Sequence, residues 1–158
     1  MSVYLDTSAL AKLVLVEAET RALRDWLAAR PDVPRVTNVI GEVELQRLAT
    51  RVSQPAVSTA RQLLARLDRL DLTPATLLRA AQFPPPEVRT LDAFHLASAS
   101  ELVDLVAVVT YDLRMVSAAA SFELPVVSPG AAQPAGEASP RPLVPPVSEV
   151  PPGVTPRA

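Results

Sequence analysis

The strongest constraint in this sequence is a repeated alternation. Short continuous apolar runs stop at a polar or acidic residue, and each is followed by a stretch with helical period. Val3-Tyr4-Leu5 ends at Asp6 and gives way to Ala9, Leu10, Leu13 and Val14, spaced as one face of a helix. Leu105 to Val109 stops at Thr110 and Asp112, and Pro125-Val126-Val127 closes the series. Further strands are predicted at Arg35-Val36-Thr37 and Leu70-Asp71-Leu72. The predicted helices run over 19–29, from an Asn38 cap through Arg51, over 56–67, from Thr73-Pro74 to before Pro84-Pro85-Pro86, from a Thr90 cap to about Val103, and over 112–121. Strands that are apolar on both faces belong to a parallel sheet covered by helices on both sides. The expected fold class is therefore α/β, a three-layer sandwich with a central parallel sheet. In such sheets, ligands bind beyond the carboxyl ends of the strands, near a topological switch point.

Composition narrows the chemistry. The chain lacks Cys altogether, so disulfides, thiolate metal sites and a thiol nucleophile are excluded. Fifteen basic residues against 17 acidic ones give a net charge of -2, so any contact with nucleic acid must be local. Asp6 interrupts the first apolar run, and no stretch is long enough to span a membrane, so a cytoplasmic protein without a membrane segment is expected. The segment from Pro129 to Ala158 holds nine of the 17 Pro and three of the four Gly without any period. The expected organisation is a domain over 1–128 and a Pro-rich, disordered tail over 129–158.

Carboxylates carry the chemical signal. Asp6 ends the first strand, Asp112 follows the fourth by two residues, and Asp92 lies in the first turn of a helix, where the helix dipole favours its charge. A fourth acid comes from the helix after Asn38, which bears Glu42 and Glu44. These lie about 200° apart around the helix axis and cannot share a pocket. Glu44 shares a four-residue stripe with Ile40 and Leu48 and is expected to face inward, leaving Glu42 to solvent. Carboxylates gathered without a neutralising cation repel one another, and a divalent ion removes the conflict. Oxygen-only ligands suit Mg²⁺ or Mn²⁺, an apparatus for phosphodiester hydrolysis.

The segments Asp6-Thr7-Ser8-Ala9-Leu10, Glu44-Leu45-Gln46-Arg47, Arg89 to Ala97 (RTLDAFHLA) and Val109-Thr110-Tyr111-Asp112 resemble, in order, the motifs of PIN-domain proteins, specifically VapC-type toxins of bacterial type II toxin–antitoxin modules. The resemblance covers about residues 1–130. It implies a PIN-like fold, metal-dependent endoribonuclease activity, a homodimer, and a VapB-like antitoxin whose C-terminal segment crosses the active site. It also implies a catalytic and metal-binding quartet of Asp6, Glu44, Asp92 and Asp112, with Ser8 and Thr110 as supporting hydroxyls. The chain departs from the family at Glu123, where Gly often precedes the final Leu-Pro, and in its Pro-rich tail. The only histidine, His95, reads as a packed, hydrogen-bonded side chain, and Arg47 as an ion-pair partner of Glu44. Arg89, Arg114 and Arg51 are candidates for contact with RNA phosphates or antitoxin carboxylates. The surplus apolar stripe for a dimer is expected from Leu63, Leu64 and Leu67 with Leu10, Leu13, Val14 and Trp26.

Two α/β enzyme classes with an Asp after the first strand are disfavoured by single residues. A haloacid-dehalogenase-type phosphatase needs a second Asp where Ser8 stands, and a response-regulator receiver needs a late Lys where the only lysine is Lys12. The remaining alternative is a PIN-like module that binds without catalysis.

Overall fold

A computed structural model describes residues 1–82 and 88–132 of the chain. Five parallel strands form one sheet in the order β3-β2-β1-β4-β5. They are β1 (Ser2–Leu5), β2 (Arg35–Asn38), β3 (Asp68–Leu70), β4 (Leu105–Val109) and β5 (Val126–Val127). The chain first builds outward from β1 to β2 and β3, then returns to the other side of β1 with β4. The switch point therefore lies between the carboxyl ends of β1 and β4.

Seven helices cover the two faces. One face carries α1 (Thr7–Val14), α2 (Thr20–Ala28), α3 (Val39–Val52) and α4 (Gln54–Leu64), which close over Val3, Leu5 and Val109 with Leu10, Leu23 and Leu45. The other carries α5 (Pro74–Ala81), α6 (Thr90–Ser100) and α7 (Leu113–Ala120), closing over Tyr4 and Val108 with Leu96 and Met115. Alternate residues of β1 thus feed different layers, as side chains on a strand must. The expected three-layer α/β sandwich is the observed one.

Several boundaries differ for physical reasons. The strand expected at Leu70-Asp71-Leu72 sits two residues earlier, because β2 pairs Val36, Thr37 and Asn38 with Asp68, Arg69 and Leu70. As an edge strand, β3 tolerates exposed charged residues that hide it from an apolar-run search. Thr90 is the first residue of α6 rather than its cap: Arg89 takes the extended cap position and makes no side-chain bond there. That helix also ends at Ser100, short of Val103, before a turn through Asp104 at φ 56°. Helix α4 starts from a Ser53 cap and ends before Leu67. The expected start of α5 holds, with Thr73 and Thr76 forming a reciprocal capping box and Pro74 in the first turn.

Leu10 is fully buried, and Leu13, Val14, Trp26, Leu63, Leu64 and Leu67 pack against the first core cluster. Apart from Leu10, these side chains stay partly exposed. Glu123 adopts φ 55°, a left-handed conformation that favours glycine, in the turn that ends α7. This explains why the related pattern prefers Gly at the position. Lys12 is nearly buried, its ammonium held between Glu17 (2.6 Å) and Glu19 (2.7 Å) over the Tyr111 ring. Burial works to lower its pKa, but the hydrogen bonds to the two glutamates outweigh it and the net shift is upward. Among the described residues, no helix is long and apolar enough to cross a membrane. The Pro84-Pro85-Pro86 run and residues 133–158 of the expected tail lie outside the described residues. Pro129, at the start of that segment, accepts a hydrogen bond from the Tyr111 hydroxyl at 2.8 Å.

Candidate active site

At the switch point the carboxyl ends of β1 and β4 open into a crevice of about 330 Å³, whose walls include Asp6, Glu44, Asp92 and Asp112. The four acids come from four different elements. Asp6 is the N-cap of α1, directly after β1, and is 5% exposed. Its Oδ2 is saturated with donors: Ser8 Oγ at 2.7 Å, Thr110 Oγ1 at 2.8 Å and the Ser8 backbone N–H at 3.3 Å. The same two hydroxyls tie the strand ends together, since Ser8 Oγ accepts from the Tyr111 N–H at 2.8 Å and Thr110 Oγ1 from the Asp112 N–H at 3.2 Å. Ser8 and Thr110 therefore do what a supporting layer of hydrogen bonds does for a ligating carboxylate, fixing one oxygen and leaving the other to the crevice.

Glu44 reaches the crevice from α3 by a route the sequence reading did not foresee. The buried stripe of α3 is Gly41, Leu45 and Ala49, not Ile40, Glu44 and Leu48. Glu44 flanks that stripe on the crevice side, whereas Glu42 flanks it on the other and pairs with exposed Arg69 at 2.9 Å. Nor does Glu44 pair with Arg47. Its Oε2 accepts from the Thr7 hydroxyl and from His95 Nε2 at 3.1 Å, because α1 and α6 bring those donors closer than its own helix does. The hydrogen bond from His95 is the main reason that the Glu44 carboxyl titrates below its ordinary range, with Thr7 adding to it and burial opposing.

His95 is 1% exposed and sits beneath the acids, its Nε2 3.6 Å from Asp6 Oδ1. Its Nδ1 lies 2.8 Å from the Tyr4 hydroxyl. Burial, followed by the charge of Asp6, holds the Tyr4 phenol well above its ordinary pKa, so it stays protonated. In the tautomer with its proton on Nε2, the ring accepts from Tyr4 at Nδ1 and donates to Glu44. Close packing supports this arrangement, since a Cβ on Gly41 would strike the Thr37 hydroxyl and press the His95 ring at 3.2 Å. Sequence reasoning found His95 but not Tyr4 or Thr7. A tyrosine in a fully buried strand needs a polar partner, and that was the available signal.

Asp92 and Asp112 stand across the crevice. Asp92 lies in the first turn of α6, half-buried, and no described residue gives its carboxylate a hydrogen bond. Burial raises its pKa first, then the charges of Asp112 and Asp6, while His95 and Arg89 pull the other way. Asp112 caps α7, its Oδ1 accepting from the Arg114 N–H at 2.8 Å. Among the described residues, no three His, Asp or Glu side chains group tightly enough to enclose an ion by themselves. The donor set is nonetheless all-oxygen and over-charged. This suits a small hard cation that keeps several waters and binds through one or two carboxylates plus substrate phosphate.

A family model described as the PIN domain matches residues 3–121. The chain is 42% identical over 134 residues to Ribonuclease VapC35 of Mycobacterium tuberculosis, covering 83% of this chain and 99% of that protein. Among solved structures, the fold is similar to VapC20 of M. tuberculosis, described as a sarcin-ricin loop cleaving toxin, at TM-score 0.62 and 19% identity, covering 74% of this chain and 95% of that one. It is also similar to VapBC2 from Rickettsia felis bound to a promoter DNA fragment, at TM-score 0.63 and 13% identity, covering 80% of this chain and 98% of that one.

Proposed function

The chain belongs to the PIN-domain family, and from that premise we propose that it is a metal-dependent endoribonuclease acting as the toxin of a type II toxin–antitoxin pair. The observation that carries this reading is the convergence of Asp6, Glu44, Asp92 and Asp112, from four separate elements, in one crevice at the switch point. Each residue has a distinct task. Asp6 offers Oδ1 while Ser8 and Thr110 hold Oδ2, and Glu44 is aimed by Thr7 and His95. Asp92 and Asp112 supply charge that nearby protein donors leave largely uncompensated. Asp6, Glu44, Asp92 and Asp112 would hold Mg²⁺ or Mn²⁺, which when bound would supply an activated water for in-line attack and offset charge on the phosphate. The packed floor of His95 and Tyr4 keeps bulk solvent from beneath the acids.

In this reading the nuclease domain is residues 1–128, with a Pro-rich extension after it. The protein acts in the cytoplasm as a homodimer and is silenced by a VapB-like antitoxin that covers the crevice. Purified protein should cleave RNA with Mg²⁺ or Mn²⁺ and stop on addition of EDTA, and its expression without the antitoxin should arrest growth. RNA left intact with either metal, in the presence of well-folded protein, overturns the reading. Removing residues 133–158 should leave cleavage unchanged.

A further inference from the structure

A polyanion approaching this crevice meets four carboxylates on a chain of net charge -2, so its phosphates need cations close at hand. Of the described arginines, six make no hydrogen bond or ion pair through their side chains with another described residue: Arg47, Arg51, Arg61, Arg66, Arg89 and Arg114. The other described arginines are engaged, for example with Asp25, Glu42 and Glu101. Four of the six flank the acids in two pairs. Arg47 and Arg51, one helical turn apart on α3, line a hollow of about 440 Å³ that shares Thr7, Glu44 and Leu91 with the crevice. Arg89 and Arg114, at the starts of α6 and α7, line a second hollow of about 200 Å³ that shares Arg89 and Asp92 with it.

We infer that these three adjoining hollows form one track for single-stranded RNA, in which Arg47 and Arg51 hold the backbone phosphate on one side of the scissile bond and Arg89 and Arg114 hold the phosphate on the other. This rests on the ribonuclease reading and adds to it the side chains that grip the strand on either side of the acids. Guanidinium forks match phosphate oxygens in pairs, which makes two neighbouring arginines a phosphate clamp. The flanking hollows also have apolar walls, with exposed Val43 and Leu91 in the first and half-buried Val88 in the second. Such walls accept the faces of unstacked bases, which a paired helix keeps hidden. Basic clamps, apolar base platforms and a central acid site that needs a cation are arranged in the order of a strand's own chemistry.

The test uses the full chain and a fluorescent single-stranded RNA oligonucleotide, with binding followed by anisotropy in EDTA across a KCl series. The variant R89Q/R114Q and the variant R47Q/R51Q should each bind about tenfold or more weakly. Each should also flatten the slope of log affinity against log salt by about 0.7, the loss of one phosphate contact on a single strand. R61Q/R66Q, on α4 away from the crevice, is the control and should bind as the parent does. In Mg²⁺ or Mn²⁺ the two clamp variants should raise KM more than they lower kcat. A parent-like salt slope in both clamp variants overturns the track. So does intact RNA binding combined with lost binding of a VapB-like partner, which would assign the hollows to protein. Clamp-dependent RNA binding without any cleavage would keep the track and sink the ribonuclease reading instead.

Discussion

On the Asp6–Glu44 side of the crevice, carboxylate oxygens meet donors from Ser8, Thr110, Thr7 and His95, whereas across it Asp92 has none among the described residues. Glu44 titrates below its ordinary range and Asp92 above it. A carboxylate already bonded to protein is held in a fixed pose. One left without donors is an unmet demand for positive charge. From the sequence, mutual repulsion applies equally to all four acids; the structure concentrates it on Asp92.

The largest expected effect comes from removing one charge on each side. Asp6→Asn and Asp92→Asn should each cut metal-dependent cleavage about 1000-fold or more, measured in single-turnover reactions. Their stabilities should part company. Asp92→Asn relieves repulsion and should raise the melting temperature in EDTA, while Asp6→Asn weakens charge-assisted bonds to Ser8 and Thr110 and should cost about 1 kcal/mol. Shifts of the same sign in both variants would break the comparison.

Next in size is the contrast within α3. Glu44→Gln should reduce metal affinity and lower cleavage by about 100-fold, because its carboxylate faces the crevice. Glu42→Gln loses only an exposed pair with Arg69 and should change cleavage by less than about threefold. A silent Glu44→Gln beside an inactive Glu42→Gln would move the site to the other flank of the helix.

The opposite pKa shifts predict opposite pH responses. The folded chain holds the Asp92 proton more tightly than the unfolded chain, so this group's contribution to stability falls as pH rises from the ordinary 3.8 through the raised folded value. For Glu44 the stabilising contribution is present above the ordinary 4.5 and is lost as pH drops through the lowered folded value. Metal must displace the Asp92 proton, so apparent Mn²⁺ affinity should weaken on acidification while the pH is still above the ordinary Asp range. Asp92→Asn should lack that component in a calorimetric titration. An unchanged pH profile in the variant would place the titrating group elsewhere.

The smallest effect tests the donors beneath Glu44. Tyr4→Phe leaves His95 Nδ1 without its donor and should lower stability by about 1–2 kcal/mol and cleavage by less than tenfold. Because His95 is the only histidine, ¹⁵N-histidine NMR reads its tautomer without overlap. The parent should show protonated Nε2, and the variant a mixture. A parent already in the Nδ1–H form would reverse the assigned direction of the chain from Tyr4 to Glu44.

Much of this architecture was legible in the sequence because buried parallel strands cannot disguise themselves. The apolar runs at Val3–Leu5 and Leu105–Val109 place β1, β4 and the acids that follow them. What was hidden depended on neighbours distant in sequence. The register of β3 is set by pairing with β2, and an exposed edge strand carries no apolar signature. Glu44 was chosen over Glu42 on the family resemblance and on a stripe with Ile40 and Leu48 that is half-buried rather than the core face. The buried stripe lies beside Glu44, and what orients Glu44 is Thr7 and His95, 37 and 51 residues away. Tyr4 looked like one more apolar strand residue because its hydroxyl acts only through a partner on α6.

Lys12, the chain's one lysine, is held by Glu17 and Glu19 over the Tyr111 ring, and this leaves the proposed RNA track with guanidinium as its side-chain cation. Guanidinium keeps its charge at every pH a cell reaches, and it offers nothing to the acyltransferases that tune proteins by neutralising lysine. Grip on the strand and turnover at the acids are thereby separated: the first is insensitive to pH and to acylation, and only the second follows the state of the carboxylates.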